Sequence, residues 1–424
     1  MSSKSNLSIY STESLSGMDT DTDTESYKTN IDLHGDIINN YNVISKLGSG
    51  SFSIVWLVFS IKDNNFYALK VQNYDDYDEG KDEVIFLKKL AKHKYINNII
   101  DCFTEKRFIN NNIETFICSV YDICCMNLHQ LLKKPEYSNG LPYDMIVRIH
   151  NQICEGLNYL HNTTKVFHGD LKPDNILISG LNNRDKYYID KYKEKNFIKI
   201  YSDVKKKYWL DKGKKIENIK KMPIDVKLKI RQQVHNSIVN SIEKTELTYL
   251  DVNDKYFWDG DTSNINIKIS DFGSHCSDED IMENTFGTQY YMAPEIILLS
   301  NCKKSVDIWA LGCTLYELCT NELLFDPDGN TTYETDIDHL SLIENACETF
   351  PKYMFKKGKK YNNFFQKGKL RVQNIQNKNN LGDILQNNLR ESNYKKKIIK
   401  LLFGMIQINP NNRIDISNCK LYLS

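Results

Sequence analysis

Apolar positions along the chain change their period after the first third of the sequence. From Tyr41 they fall in short β-branched and aromatic runs at 41–47, 53–59, 66–71, 99–103 and 115–121, the pattern of strands that pair in a small antiparallel sheet. One helix interrupts them, with Val84, Leu87 and Leu90 at helical spacing beside Lys88 and Lys89. After Tyr121 the period becomes helical. Met145, Ile146, Ile149, Ile153, Leu157 and Leu160 share one face of a helix that starts near Pro142, a residue whose fixed φ suits the first turn. A second helix, over 304–320, carries Val306, Trp309, Leu311, Leu315, Tyr316 and Leu318 around more than one face, as a helix buried on several sides does. The expected fold class is α+β, with a small sheet and one helix followed by a larger, mainly α-helical unit.

Two segments depart from these patterns. Residues 1–30 hold 13 serines and threonines, five acids and few large apolar groups, too little apolar surface to offset the entropy of ordering, and a disordered tail is expected there. Between Ile178 and Ile265 the chain turns lysine-rich, and residues 184–231 carry 17 Lys or Arg against 7 Asp or Glu, a net of +10 by subtraction. A long polar span of this kind inside a compact domain reads as an insertion, at about 181–262, looped out of a domain that otherwise runs from 41 to 424.

Composition narrows the classes. The 424 residues, 41% of them hydrophobic, can bury one large core or two modest ones. Lys plus Arg total 55 and Asp plus Glu total 55, so the chain lacks the overall basic excess of a nucleic-acid binder, and no nucleic-acid partner is expected. No apolar run approaches the roughly 18 residues a bilayer requires, so membrane insertion is not expected. Eleven cysteines without paired metal spacing fit reduced thiols, and the expected compartment is the cytoplasm or the nucleus.

The candidate chemistry lies in four stretches. Gly48-Ser49-Gly50-Ser51-Phe52-Ser53-Ile54-Val55 falls on a turn between two predicted strands, where small residues let backbone N–H groups approach phosphate oxygens. A plain hairpin turn would look much the same. Lys70 follows Tyr67-Ala68-Leu69 on the next strand and needs an anionic partner, which Glu83 on the following helix can supply. His168-Gly169-Asp170-Leu171-Lys172-Pro173-Asp174-Asn175 puts a carboxylate, a cation and an amide on one loop, the set needed to orient a hydroxyl, neutralise a transferring phosphoryl group and bind a metal. Asp271-Phe272-Gly273, after a predicted strand at 265–269, adds a second acid, and Ala293-Pro294-Glu295 ends the loop that follows.

At these residues the sequence resembles the eukaryotic protein kinase family, from about Tyr41 to the C-terminus with one insertion. The resemblance implies a bilobal kinase fold, with an N-lobe at about 41–123, a C-lobe at about 124–424, and ATP and Mg²⁺ in the cleft between them. It implies a nucleotide site formed by Gly48, Ser49, Gly50, Ser51, Phe52, Ser53, Val55, Ala68 and Lys70, with Tyr121 as gatekeeper and Asp122 to Cys124 as hinge. Glu83 would hold Lys70 on the α- and β-phosphates, Asp170 would accept the proton of the substrate hydroxyl, and Lys172 would face the γ-phosphate. Asn175 and Asp271 would hold Mg²⁺, and Thr288 would bond Asp170 and Lys172, which favours serine or threonine over tyrosine as acceptor. Glu295 would pair with Arg413, and Asp307 and Trp309 would brace the catalytic loop.

Within that family, Phe52-Ser53-Ile54-Val55-Trp56-Leu57, the run 114–132, Asn139-Gly140-Leu141-Pro142, Phe325-Asp326-Pro327 and Asp336-Ile337-Asp338-His339-Leu340 are similar to the SR-protein kinases. This likeness implies Arg/Ser-rich protein substrates, docked by acids among Asp326, Asp328, Glu334, Asp336, Asp338 and Glu344. The Arg that usually precedes the catalytic Asp is Gly169 here, so an activation-loop phosphate loses its usual counter-charge and constitutive activity is expected. A monomer is expected. The alternative, a pseudokinase scaffold that binds partners through the same fold, would be signalled by loss of Lys70, Asp170 or Asp271, and all three are present.

Overall fold

The computed structural model describes residues 31–50, 52–109, 111–213, 222–249, 264–277, 279–280, 284–371 and 380–420. The tail expected at 1–30, the Ser51 position of the glycine-rich turn and the far end of the insertion lie outside the described residues.

The N-terminal half of the fold is an antiparallel sheet of β1 (Ile37–Ile38), β2 (Tyr41–Ser49), β3 (Ser53–Ser60), β4 (Phe66–Gln72), β5 (Asp101–Ile109) and β6 (Asn112–Tyr121), in the order β1-β2-β3-β4-β6-β5. Helix α1 (Tyr77–Lys89) buries Glu83, Val84, Phe86 and Leu87. The β5 strand runs to Ile109, beyond the run expected at 99–103, because its partner β6 starts at Asn112 and the two pair along their full length. In the centre of the sheet, Lys70 stands opposite Val55 of β3 and Ser119 of β6.

Beyond the hinge come β7 (Cys124–Asn127), α2 (Leu128–Leu132), α3 (Tyr143–Asn158), β8 (Val166–Phe167) and β9 (Ile176–Ser179). Helix α3 buries Met145, Ile146, Ile149, Ile153 and Leu157, the face its apolar period marks. Strand β9 pairs with β7 on one side and with β10 (Ile267–Ile269) on the other, and β11 (Cys276–Ser277) pairs with β8. These short strands carry the loops that bear Asp170, Asn175 and Asp271.

The segment between β9 and β10 corrects the sequence expectation. Over its described residues it is neither irregular nor looped out: they form α4 (Asn183–Lys193), α5 (Phe197–Asp211) and α6 (Ile224–Tyr249). Tyr188, Ile189 and Tyr192 of α4 and Ile230, Val234, Ile238 and Ile242 of α6 form one buried cluster with Ile44, Leu57 and Phe66 of the sheet. Polar groups seal the seam, since Asn42 donates to the Tyr192 hydroxyl at 2.8 Å and His235 Nε2 lies 2.7 Å from the Val43 carbonyl oxygen. Burying side chains of this size contributes about 1.5–3 kcal/mol each, so these helices are part of the folded core. Their lysines occupy the outward faces that remain.

The remainder of the chain forms α7 (Pro294–Ile297), α8 (Ser305–Thr320) and α9 (Thr332–Ala346), with further short helices to residue 420. Every residue of α8 from Val306 to Thr320 is buried, as its all-round apolar pattern requires. The Glu295 carboxylate takes two bonds from the Arg413 guanidinium, at 2.5 and 2.8 Å, with both side chains inaccessible to water.

Candidate active site

The glycine-rich turn, β4, the hinge and the loops after β8 and β10 enclose a cleft of about 390 Å³, lined by Gly48, Ser49, Gly50, Ser53, Val55, Ala68, Lys70, Glu83, Tyr121, Asp122, Cys124, Asn175 and Asp271. Nearly every residue expected in the nucleotide site meets here. Phe52 does not: it is 61% exposed and is not among the residues that line the cleft. Leu47, Asn127 and Leu177 line the cleft without having been anticipated. An apolar residue directly before Gly48 and another two positions after Asn175 carried a usable signal for Leu47 and Leu177, whereas Asn127 lies in the run 114–132 with no chemistry of its own to mark it.

Inside the cleft the charges are ordered. Lys70 Nζ lies 2.8 Å from Glu83 Oε2 and 3.4 Å from Asp271 Oδ1, and the other Glu83 oxygen accepts the Phe272 N–H at 3.1 Å. Burial works against the charge on Lys70, but the Glu83 and Asp271 carboxylates outweigh it and hold the ammonium well above its ordinary range. Partial burial works against the charge on Asp271, whose side chain stays 47% exposed to the cleft, but Lys70 beside it holds its carboxyl below the usual range. Its backbone is left-handed at φ 62°, a strained state that persists where surroundings dictate it. Phe272 is buried against His168, at 5.0 Å between ring centroids, and against Phe86 at 5.6 Å.

The catalytic-type loop is fixed from below. Asp307 of α8 accepts the backbone N–H groups of His168 at 2.7 Å and Gly169 at 2.9 Å, and lies 2.7 Å from His161 Nε2. Full burial would raise its pKa, but the His161 ring and these N–H groups overcome that and lower it. On the upper side, Asn175 Nδ2 donates to the Asp170 carbonyl at 2.8 Å and to its carboxylate at 3.1 Å. Thr288 Oγ1 donates to Asp170 Oδ1 at 2.8 Å, and Lys172 Nζ donates to that same hydroxyl oxygen and lies 3.0 Å from Asp170 Oδ2. One carboxylate is thus oriented by a hydroxyl, an amide and an ammonium, and it borders the space where an acceptor hydroxyl must enter.

Gly169 has a steric reason to be glycine. Its φ is +84°, and a Cβ on it would meet the Ser274 carbonyl oxygen at 2.3 Å. Gly287, at φ +83°, packs against the Gly169 carbonyl in turn. The loop from Asp271 therefore lies directly on the position where an arginine would otherwise stand.

The acids expected to dock basic substrates divide. Asp336 is buried and engaged, 3.2 Å from Lys360 Nζ and 3.3 Å from Gln289 Nε2, so it is not a surface acid. Glu344 accepts the Phe350 N–H at 3.2 Å, Glu334 accepts the Asn330 N–H at 2.9 Å, and Asp338 accepts the Asp328 N–H at 2.9 Å. Asp326, Asp328 and Glu334 remain exposed.

A sequence profile described as the protein kinase domain matches residues 41–201 and 211–421. The chain belongs to the protein kinase family. The serine/threonine-protein kinase SRPK of Physarum polycephalum is 27% identical over 391 residues, covering 88% of this chain and 83% of that protein. The protein kinase dsk1 of Schizosaccharomyces pombe is 26% identical over 387 residues, covering 78% and 70%. A solved crystal structure of a kinase domain aligns with a TM-score of 0.60 at 23% identity, over 92% of this chain and 97% of that one, a likeness of fold. Within the family, the class is that of the serine/threonine protein kinases, and the relatives include SR-protein kinases.

Proposed function

We propose that this chain transfers the γ-phosphate of ATP to serine and threonine hydroxyls of Arg/Ser-rich proteins. The observation that carries the reading is the Asp170, Lys172 and Thr288 cluster, linked at 2.8 and 3.0 Å, beside the Lys70, Glu83 and Asp271 charge cluster in one cleft. A pseudokinase would have no need to keep both.

In this reading the cleft holds the adenine between Ala68 and the hinge at Asp122 and Cys124, with the glycine-rich turn over the phosphates. Lys70 draws the α- and β-phosphates into place, and Glu83 keeps Lys70 extended to meet them. Asp170 orients the incoming hydroxyl and takes its proton, while Lys172 offsets the charge on the transferred group. Thr288 fixes both side chains and shapes the entrance for a short aliphatic alcohol. Asp271 and Asn175 suit Mg²⁺. One is a carboxylate kept ionised at the cleft, and the other has its amide nitrogen engaged by Asp170, which leaves an oxygen to offer, and oxygen donors are what Mg²⁺ takes. Bound there, Mg²⁺ would screen the phosphate charge.

Arginine preference rests on the SR-protein kinase relatives and on the acids Asp326, Asp328 and Asp338 near α9. Exposed ion pairs contribute only about 0.2–1 kcal/mol each, so several must act together. The test compares serine peptides flanked by arginine, alanine or glutamate. Arginine flanks should be preferred, the preference should fade at high salt, and Asp338→Ala should reduce it. Equal use of all three peptides would remove the arginine assignment and leave the phosphotransfer assignment standing.

A further inference from the structure

The first turn of α4 touches both walls of the nucleotide cleft. Its capping residue, Asn182, accepts the Asp185 N–H at 2.8 Å and donates to the carbonyl of Cys125, in the strand that follows the hinge, at 3.1 Å. Two residues on, Arg184 donates from Nη1 to the carbonyl of Lys46 in β2 at 2.8 Å. That carbonyl lies where the β2–β3 register shifts, between Lys46 and Gly48. Leu47 is the residue displaced by this irregularity, and it lines the cleft. Irregularities of this type break the ladder locally and re-aim a side chain, so the position of Leu47 depends on what holds the adjoining carbonyl.

Arg184 is itself held firmly. Its Nε lies 2.9 Å from Glu246 Oε1, and its guanidinium stacks over the Tyr188 ring at 4.7 Å. The Tyr188 hydroxyl donates to the second Glu246 oxygen at 2.6 Å. A planar fork with donors in fixed directions can bond a carboxylate and a carbonyl together, which a lysine cannot. Leu47 and the hinge residue Ile123 both pack against the cluster that α4 and α6 form with the sheet.

We propose that Arg184 is a positioning residue for nucleotide binding: by fixing the Lys46 carbonyl it seats Leu47 and the root of the glycine-rich turn over the cleft, while Asn182 ties the same helix end to the hinge strand. The inference rests on the assignment of the cleft as an ATP site. It gives the lysine-rich segment a role inside the catalytic unit. The competing possibility is that Arg184 and Glu246 are a stability pair only.

Binding of Mg·ADP by calorimetry, steady-state kinetics and thermal unfolding of the full chain separate the two. Arg184→Gln should weaken Mg·ADP binding and raise KM for ATP by roughly 5- to 10-fold, the scale for losing a charge-assisted hydrogen bond that orders a loop. The peptide KM should stay within about twofold. Arg184→Lys, which keeps the charge and loses the fork, should fall between wild type and Arg184→Gln, and it serves if Arg184→Gln does not fold. Glu246→Gln, which leaves an oxygen for Arg184, should lower the Tm while leaving Mg·ADP affinity within about twofold. Lower Tm with unchanged nucleotide affinity in both Arg184 variants would overturn the proposal. Wild-type protein that binds no Mg·ADP would instead overturn the ATP-site assignment and the brace with it.

Discussion

The cleft and the inserted helices are built by opposite means. The cleft assembles short loops from distant parts of the chain, and its order comes from charged and polar bonds at 2.7–3.4 Å around Asp170, Asp271 and Asp307. The inserted helices hold to the sheet through buried aromatic and aliphatic side chains, with only a few polar seams such as Asn42 to Tyr192. A site of the first kind is sensitive to single atoms and tolerant in overall stability. An interface of the second kind should behave the other way, with substitutions that cost stability and alter chemistry only through β2 and the hinge strand, which it shares with the cleft.

The largest effect expected is on the cleft side. Lys70→Met and Asp271→Asn should each lower phosphoryl transfer by at least about 100-fold, because each removes a charge placed for the phosphates or their metal. Circular dichroism should show the fold retained. Near-normal turnover in either variant would break the comparison at its catalytic end.

The insertion supplies the counterpart. Tyr192 is 1% exposed among Phe59, Phe66 and Ile44, and Tyr192→Ala should cost about 3–5 kcal/mol in denaturant unfolding, the range for large-to-small changes in a packed core. Deleting 184–231 should give insoluble or inactive protein, since it strips Tyr188, Ile189, Tyr192 and Ile230 from the N-lobe. A deletion product with full stability would show these helices to be dispensable.

Gly169→Arg tests the loop between the two regimes. Here the strain of a non-glycine residue at positive φ, about 1–2 kcal/mol, adds to the clash with the Ser274 carbonyl. We expect a lower Tm and several-fold lower turnover, with no gain of control by phosphorylation. Wild-type enzyme treated with phosphatase should stay active.

A smaller effect concerns His235. Burial lowers its pKa from 6.5 to about 4, so below pH 6.5 the unfolded chain takes up a proton that the folded one refuses, and stability falls as pH drops toward 4. Burial also pushes Asp185 and Glu317 up to about 7, which acts in the opposite sense over part of that range. The measurement is therefore the difference between wild type and His235→Gln in Tm against pH, which should shrink from pH 7 to pH 4.5. A constant difference would contradict the assignment of His235 as buried and neutral.

The two regions were also unequally legible. Asp170, Lys172, Asn175 and Asp271 could be placed from sequence because each lies in a short stretch whose spacing fixes its chemistry, and Lys70 with Glu83 followed from a charged residue in an apolar strand. The strands and α3 showed in their apolar periods. The inserted helices did not, because lysines on the solvent face outweigh the apolar residues in composition, and those apolar residues are largely tyrosines and isoleucines spread over three helices. What they cover, Ile44, Leu57 and Phe66 of the sheet, is more than 100 residues away in sequence. Asp336 departs from the sequence expectation for a related reason: an acid in an acidic run looks solvated, whereas in the fold Lys360 and Gln289 stand beside it.

The central claim is that this cleft transfers phosphate with Asp170 at the acceptor hydroxyl, and radiolabel transfer from Mg·ATP to an arginine-flanked serine peptide measures it directly. Wild-type protein should phosphorylate the peptide, and Asp170→Asn should be slower by at least about 100-fold while binding Mg·ADP as tightly as wild type. Absence of transfer by folded wild-type protein that binds Mg·ADP, or near-equal rates for the two proteins, would contradict it.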